Sequence, residues 1–213
     1  MKKMYLGLSV LAVCFASCKG DVKVETTETD TDTTAVINEE ASEVEMDSVA
    51  EMKAWEAYAT PGEAHKMMAD EVGSWTNETT FWHEPGGEPM KASSTSEVKM
   101  LLGGRYQEMI YKGDMMGMPF EGRSTMAYDN TTKEYISTWI DNMGTGMMIM
   151  RGKMEPGAKT LELKGEMVDP ARGKAIECRE VYTIIDENTR KMEMYCDKHG
   201  EEFKNMEIIM KRK

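Results

Sequence analysis

Sulfur is the reactive element this sequence holds in excess. Methionine occupies 23 of its 213 positions. The stretches GDMMGMPFEG (113–122) and DNMGTGMMIM (141–150) hold seven of them. A thioether is a soft ligand suited to Cu(I). It is equally a flexible apolar side chain that fills irregular space and adapts to varied ligands. At strand spacing, Met148/Met150 and Met192/Met194 would put sulfurs two residues apart on one face, where they could reach one soft ion. Against copper, methionine is spread along the whole chain, and histidine occurs only at His65, His83 and His199. His83 precedes a Pro-Gly-Gly turn and His199 lies in Lys-His-Gly, so both are expected in solvent. Core filler or pocket lining is the preferred reading, and a Met-based Cu(I) sink ranks last of three functional readings.

Charged residues inside alternating segments are the other candidates for chemistry. Arg123, Glu166, Arg179, Glu193 and Glu207 fall mid-strand rather than in turns. Alternation sends about half of such residues outward to water. Any that point inward would sit beside Trp82, Tyr128 and Trp139, as a few convergent polar groups on apolar walls. The expected ligand-contacting set is therefore Trp82, Arg123, Tyr128, Trp139, Glu193 and Glu207. An interior carboxylate such as Glu193 or Glu207 could also have its pKa raised enough for acid–base work in hydrolysis or isomerisation. That enzyme reading stands second to small-molecule binding. There is no His-x-x-x-His, Cys-x-x-Cys or glycine-rich phosphate loop, so neither a metal site nor a cofactor is expected.

The four cysteines divide by position. MKKMYLGLSVLAVCFASC has a basic start (Lys2, Lys3), an apolar run from Met4 to Phe15, and small residues before Cys18. That is the form of a secretory signal, too short to span a bilayer as a mature helix. Phe15-Ala16-Ser17-Cys18 resembles a bacterial lipobox, with Phe15 in place of the usual Leu. The resemblance implies a signal peptide over 1–17 and an acyl anchor on Cys18. Lys19 stands where an Asp would retain an enterobacterial lipoprotein at the inner membrane. The expected location is therefore the cell envelope at the outer membrane, with the membrane as partner through Cys18. Cys14 leaves with the signal, and Cys178 and Cys196 remain in an oxidising compartment, where a pair is expected to be bridged.

The acidity of the chain is local. Residues 19–51 carry 11 acidic residues and two lysines, with no aromatic residue. Such a segment cannot bury enough apolar area to offset its ordering entropy, so 18–46 reads as a disordered tether. The rest of the chain is only mildly acidic, and no basic patch suggests nucleic acid. Residues 47–213 are enough for one domain with a substantial core.

These candidates must be positioned by turns and strands. Asp47 can cap a helix whose Val49, Met52 and Trp55 recur at helical spacing. Thr60-Pro61-Gly62-Glu63 reads as a capping box opening a second short helix through about Glu71. After that the chain alternates, with turn chemistry at every junction: EPGGEP, Gly103-Gly104, a methionine-rich loop over Met115–Pro119, Asn130-Thr131, Asn142-Met143-Gly144, EPGAK, DPARG, DENT and DKHGE. About ten antiparallel strands result. With no second sheet to cover them, closure into a barrel buries one face and removes the edges. In the Ala175–Cys196 hairpin, Cys178, Glu180, Tyr182 and Ile184 share one face, as do Met192, Met194 and Cys196. A turn near Glu187 would put Cys178 opposite Cys196, within reach of a disulfide.

Gly73-Ser74-Trp75, leading from a helix into the first strand, resembles the lipocalin (calycin) signature. There the Trp closes one barrel end and an Arg of the last strand packs across it; Trp75 and Arg212 match those roles. PGEAHKMMADEVGSW, LLGGRY, GMPFEG, YDNTTKEYISTWIDNMGTG, GEMVDP and EFKNMEI occur in the order seen in a bacterial family catalogued as domain of unknown function 1579. The resemblance covers about residues 60–212. It implies a mainly β, lipocalin-like barrel led by one or two short helices, and carries no assigned activity.

Overall fold

The computed structural model describes residues 47–197 and 200–213. The expected signal peptide, Cys18, the tether and His199 lie outside them. Two helices come first, α1 (Ser48–Ala59) and α2 (Glu63–Ala69). Ten strands follow: β1 (Gly73–Phe81), β2 (Met90–Leu101), β3 (Tyr106–Met115), β4 (Met118–Asp129), β5 (Glu134–Asp141), β6 (Met148–Gly152), β7 (Thr160–Asp169), β8 (Lys174–Ile184), β9 (Thr189–Asp197) and β10 (Glu202–Arg212). Every strand pairs antiparallel with its neighbours in sequence, and β1 pairs with β10 to close the sheet into a barrel. The turn rhythm of the sequence is thus the order of strands around the can.

Local chemistry explains the joints. Met115 pairs directly with Met118 across a turn in which Met116 and Gly117 both have positive φ, 55° and 80°. That is the twist a two-residue hairpin needs, and Asp114 Oδ1 accepts the Gly117 N–H at 2.7 Å. The methionine-rich segment expected as a loop is therefore a tight hairpin with strands running into it. The second helix also starts later than expected. Its N-cap is Gly62, whose N–H donates to His65 Nδ1 at 3.0 Å. Thr60 instead ends α1, its hydroxyl donating to the Glu56 carbonyl at 2.6 Å. The proline after Thr60 disfavours a helical conformation there.

Asp47 caps α1 as the sequence predicts, with Oδ1 accepting from Val49 and Ala50 at 2.9 and 2.8 Å. The apolar side of α1 packs on nothing described, and none of its residues is buried. Asn130 Nδ2 tethers its C-terminal end by donating to the Tyr58 and Thr60 carbonyls. In contrast, α2 presses His65 and Met68 into the barrel, beside Tyr128, Tyr135 and Gln107.

Inside, alternation selects one side chain in two. On β9 the inward set is Arg190, Met192, Met194 and Cys196; on β8 it is Ile176, Cys178, Glu180 and Tyr182. Cys178 stands directly opposite Cys196 and is bonded to it, with Cα atoms 4.2 Å apart. The disulfide register read from the hairpin is the observed one. A bulge between Lys204 and Met206 interrupts β10, and it is there that Asn205 reaches the barrel interior.

Candidate functional site

The α2 end of the barrel is closed by Trp75, which is 1% exposed. Gly73 makes the bend into β1 at φ 136°, a conformation that L side chains rarely adopt. A Cβ there would lie 3.1 Å from the Arg212 guanidinium. That guanidinium lies 4.3 Å from the centre of the Trp75 ring and donates to the Asp70 and Val72 carbonyls at 2.6 and 2.8 Å. It thereby satisfies carbonyls just past the end of α2 while stacking on the indole. Trp75 Nε1 donates to the Glu71 carbonyl at 2.9 Å.

A polar network lies just inside this end. Arg190 Nε donates to Glu71 Oε1 at 2.8 Å, their side chains only 6% and 9% exposed. The Tyr182 hydroxyl donates to the same oxygen at 2.6 Å. Burial, then the Glu71 charge, pushes the Tyr182 hydroxyl well above its ordinary range. Gln107 Nε2 donates to the Met68 carbonyl at 2.8 Å and reaches Glu71 Oε2 at 3.5 Å. Arg190 Nη1 donates to the Asp186 and Thr189 carbonyls.

Above the network the barrel is hollow. The cavity measures about 990 Å³, and 15 of the 38 described residues lining it are methionines. Trp139, Tyr111 and Phe120 form an aromatic corner, Trp139 edge-on to Tyr111 at 5.2 Å and stacked on Phe120 at 6.4 Å. Trp139 Nε1 donates to Asp141 Oδ2 at 2.6 Å. Met115, at the β3–β4 hairpin, and residues 143–147, between β5 and β6, line the mouth at the end away from α2. Glu180 is the carboxylate on the cavity wall that no described side chain pairs with. Burial pushes its pKa up to about 7.

The sequence-predicted contacts divide. Trp139 lines the cavity. Tyr128 points inward but packs beneath α2, against the rings of His65 at 5.8 Å and Tyr135 at 4.8 Å. Trp82 follows β1, its ring 5.3 Å from Lys204 Nζ, and is not among the lining residues. Arg123, 52% exposed, reaches Glu121 at 3.5 Å. Glu193 and Glu207 both bind Lys204, at 3.1 and 2.6 Å, and Glu193 also binds Lys191 at 2.8 Å. Burial raises the Glu193 carboxyl, but the hydrogen bonds and charges of Lys191 and Lys204 together outweigh that and hold it low. Arg123, Glu193 and Glu207 thus lie on the outer face, one residue off the inward phase marked by Ser124, Met194 and Met206. The acid–base pair suggested for Glu193 and Glu207 is a surface ion-pair ladder. Glu180, Glu71, Arg190 and Asn205 were missed. Glu180 was within reach, since it shares its strand face with Cys178, Tyr182 and Ile184.

Fold and site together define a closed, helix-plugged antiparallel β-barrel with an internal, methionine-rich cavity. The chain belongs to the family described as Protein of unknown function (DUF1579), whose model matches residues 60–212. Among solved structures it is similar to Rv2717c from M. tuberculosis, at 12% identity and a TM-score of 0.53, covering 72% of this chain and 99% of that one. That likeness is one of fold. No curated protein matches the sequence.

Proposed function

We propose that this protein is a lipid-anchored envelope protein that holds a small apolar or amphipathic molecule inside its barrel. The cavity is the observation that carries the binding part. At about 990 Å³ it falls at the upper end of the range for small-molecule sites, and its walls are apolar with a few fixed polar groups. Methionine walls suit a ligand of variable shape, because the side chain is unbranched and polarisable. The anchoring part rests on the lipobox-like Phe15-Ala16-Ser17-Cys18 and the acidic tether that follows.

The binding part is tested with the apolar dye N-phenyl-1-naphthylamine on the purified protein. Saturable binding with enhanced fluorescence is expected. It should be lost in Ser137→Trp, which fills the cavity from a buried wall position, provided far-ultraviolet circular dichroism shows the barrel intact. A dye that fails to bind the wild-type protein, or binds an intact Ser137→Trp equally well, refutes binding in the barrel. Organic extracts of protein from its native envelope should also contain a stoichiometric small molecule. For anchoring, labelled palmitate should be incorporated into the wild-type chain and not into Cys18→Ala; equal labelling of both refutes it.

A further inference from the structure

Resting on the cavity reading above, we infer that the ligand carries a protonated amine, and that Glu180 is the residue that receives it. The cavity wall offers carboxylates and neutral hydroxyls but no Lys or Arg among its described residues. Glu180 lies on the inward face of β8, where register puts it opposite Met194 of β9, which in turn faces Met206 of β10. No described side chain donates to its carboxylate or forms an ion pair with it. Asn205, beside Met206 at the β10 bulge, has a buried side-chain oxygen that likewise lacks a donor.

Arg190, the cation of the closed end, is not among the described residues lining the cavity, and its ion pair is with Glu71. Arg190 is committed to Glu71, to the carbonyls of Asp186 and Thr189, and to the Trp75 ring at 5.3 Å. Tyr182 is committed to Glu71, and the Tyr111 hydroxyl points at Met210 Sδ, 3.9 Å away. With Glu71 neutralised by Arg190, the charges left facing the cavity are Glu180 and, toward the mouth, Asp141. Both are acidic.

An interior carboxylate without a partner is costly to retain among methionines. A binding partner that supplies a cation removes the cost, and the pair gains strength where water is excluded. A fatty acid or other apolar anion would meet repulsion instead, since no Lys or Arg is among the described residues lining the cavity. The Met side chains and the Tyr111–Trp139–Phe120 corner accommodate the apolar body, and the aromatic faces favour a nearby cation. The ligand class is therefore an apolar amine rather than an apolar acid or alcohol.

The test is displacement of bound N-phenyl-1-naphthylamine by dodecylamine, dodecanol and dodecanoate, each below its micellar range, from wild type and from Glu180→Gln. Dodecylamine should displace the dye from wild type at concentrations at least about tenfold lower than dodecanoate, the discrimination a charge-assisted hydrogen bond supplies. In Glu180→Gln that preference should collapse, while dodecanol and the dye bind as before. Equal displacement by amine and acid from wild type overturns the inference and leaves cavity binding standing. So does an amine preference unchanged in Glu180→Gln. Absence of dye binding to wild type removes both.

Discussion

Replacing Arg190 by Met probes the polar network that closes the barrel. The substitution keeps an apolar stem of similar length and deletes the guanidinium. Lost with it are the 2.8 Å bond to Glu71, the bonds to the Asp186 and Thr189 carbonyls, and the cation beside Trp75. Glu71 is 9% exposed in its side chain, so water cannot replace the lost partner without opening the closed end. Breaking a buried ion pair by removing one member costs about 3–5 kcal/mol. Tyr182 and Gln107 still reach the stranded carboxylate, which puts the expectation at the lower end, about 3 kcal/mol. For a domain of this size, that lowers the melting temperature by roughly 6–12 °C. Urea unfolding followed by tryptophan fluorescence measures it. Glu71→Gln combined with Arg190→Met should recover more than half of the loss, because no buried charge then lacks a partner. An Arg190→Met protein within about 1 kcal/mol of wild type would refute the reasoning. A double variant no more stable than the single one would refute it too.

Stability should fall as pH rises through the window set by Glu180. Its carboxyl is raised by burial from 4.5 to about 7, so the folded state keeps this proton longer than the unfolded chain does. The penalty is absent below the unfolded pKa and complete above about 7, reaching about 3 kcal/mol. Tyr111, Tyr182, Glu71 and Arg190 share the surroundings. His65, lowered by burial and by Arg105, acts in the opposite sense, losing stability as pH falls below its unfolded value. The difference between wild type and Glu180→Gln at pH 5 and pH 8 therefore isolates the carboxyl, and equal pH profiles would contradict it. Reducing the Cys178–Cys196 bridge, 18 residues apart in sequence, should cost about 3 kcal/mol by loop-closure entropy, read from urea midpoints with and without reductant. Gly122→Ala should displace the cavity indole, because a Cβ there would lie 2.5 Å from the Trp139 ring. Shifted tryptophan emission with weakened dye binding is expected, and an unchanged spectrum would be the contrary result.

The fold was legible because its signals are local. Turn residues recur between alternating segments, and each hairpin sets its own register; the Cys178–Cys196 opposition followed from counting back from one turn. The helix-to-strand passage at Gly73-Ser74-Trp75 was readable for the same reason, since it depends on three adjacent residues and a backbone only glycine adopts. The two errors at joints were also local. Two positive-φ residues, Met116 and Gly117, tightened an expected loop, and Pro61 moved a helix start from Thr60 to Gly62.

The site was legible only in part. Alternation groups Glu180 with Cys178 and Glu193 with Lys191 equally well, and it does not say which group faces inward. Arg123, Glu193 and Glu207 were chosen as charges falling mid-strand rather than in turns, and all three fall on the outer phase. Asn205 enters through a bulge that shifts register by one residue. The Glu71–Arg190 pair joins positions 119 residues apart, a separation no periodicity reports.

By itself the sequence determined that strands would form, in what order they would pair and which two cysteines would meet, because hydrogen-bonded hairpins are set by neighbours along the chain. Only closure of the barrel decided which alternate residues face the hollow, and that closure left Glu180 on the wall without a counter-charge. Inward and outward are properties of the whole cylinder. They appear only when β10 returns to β1.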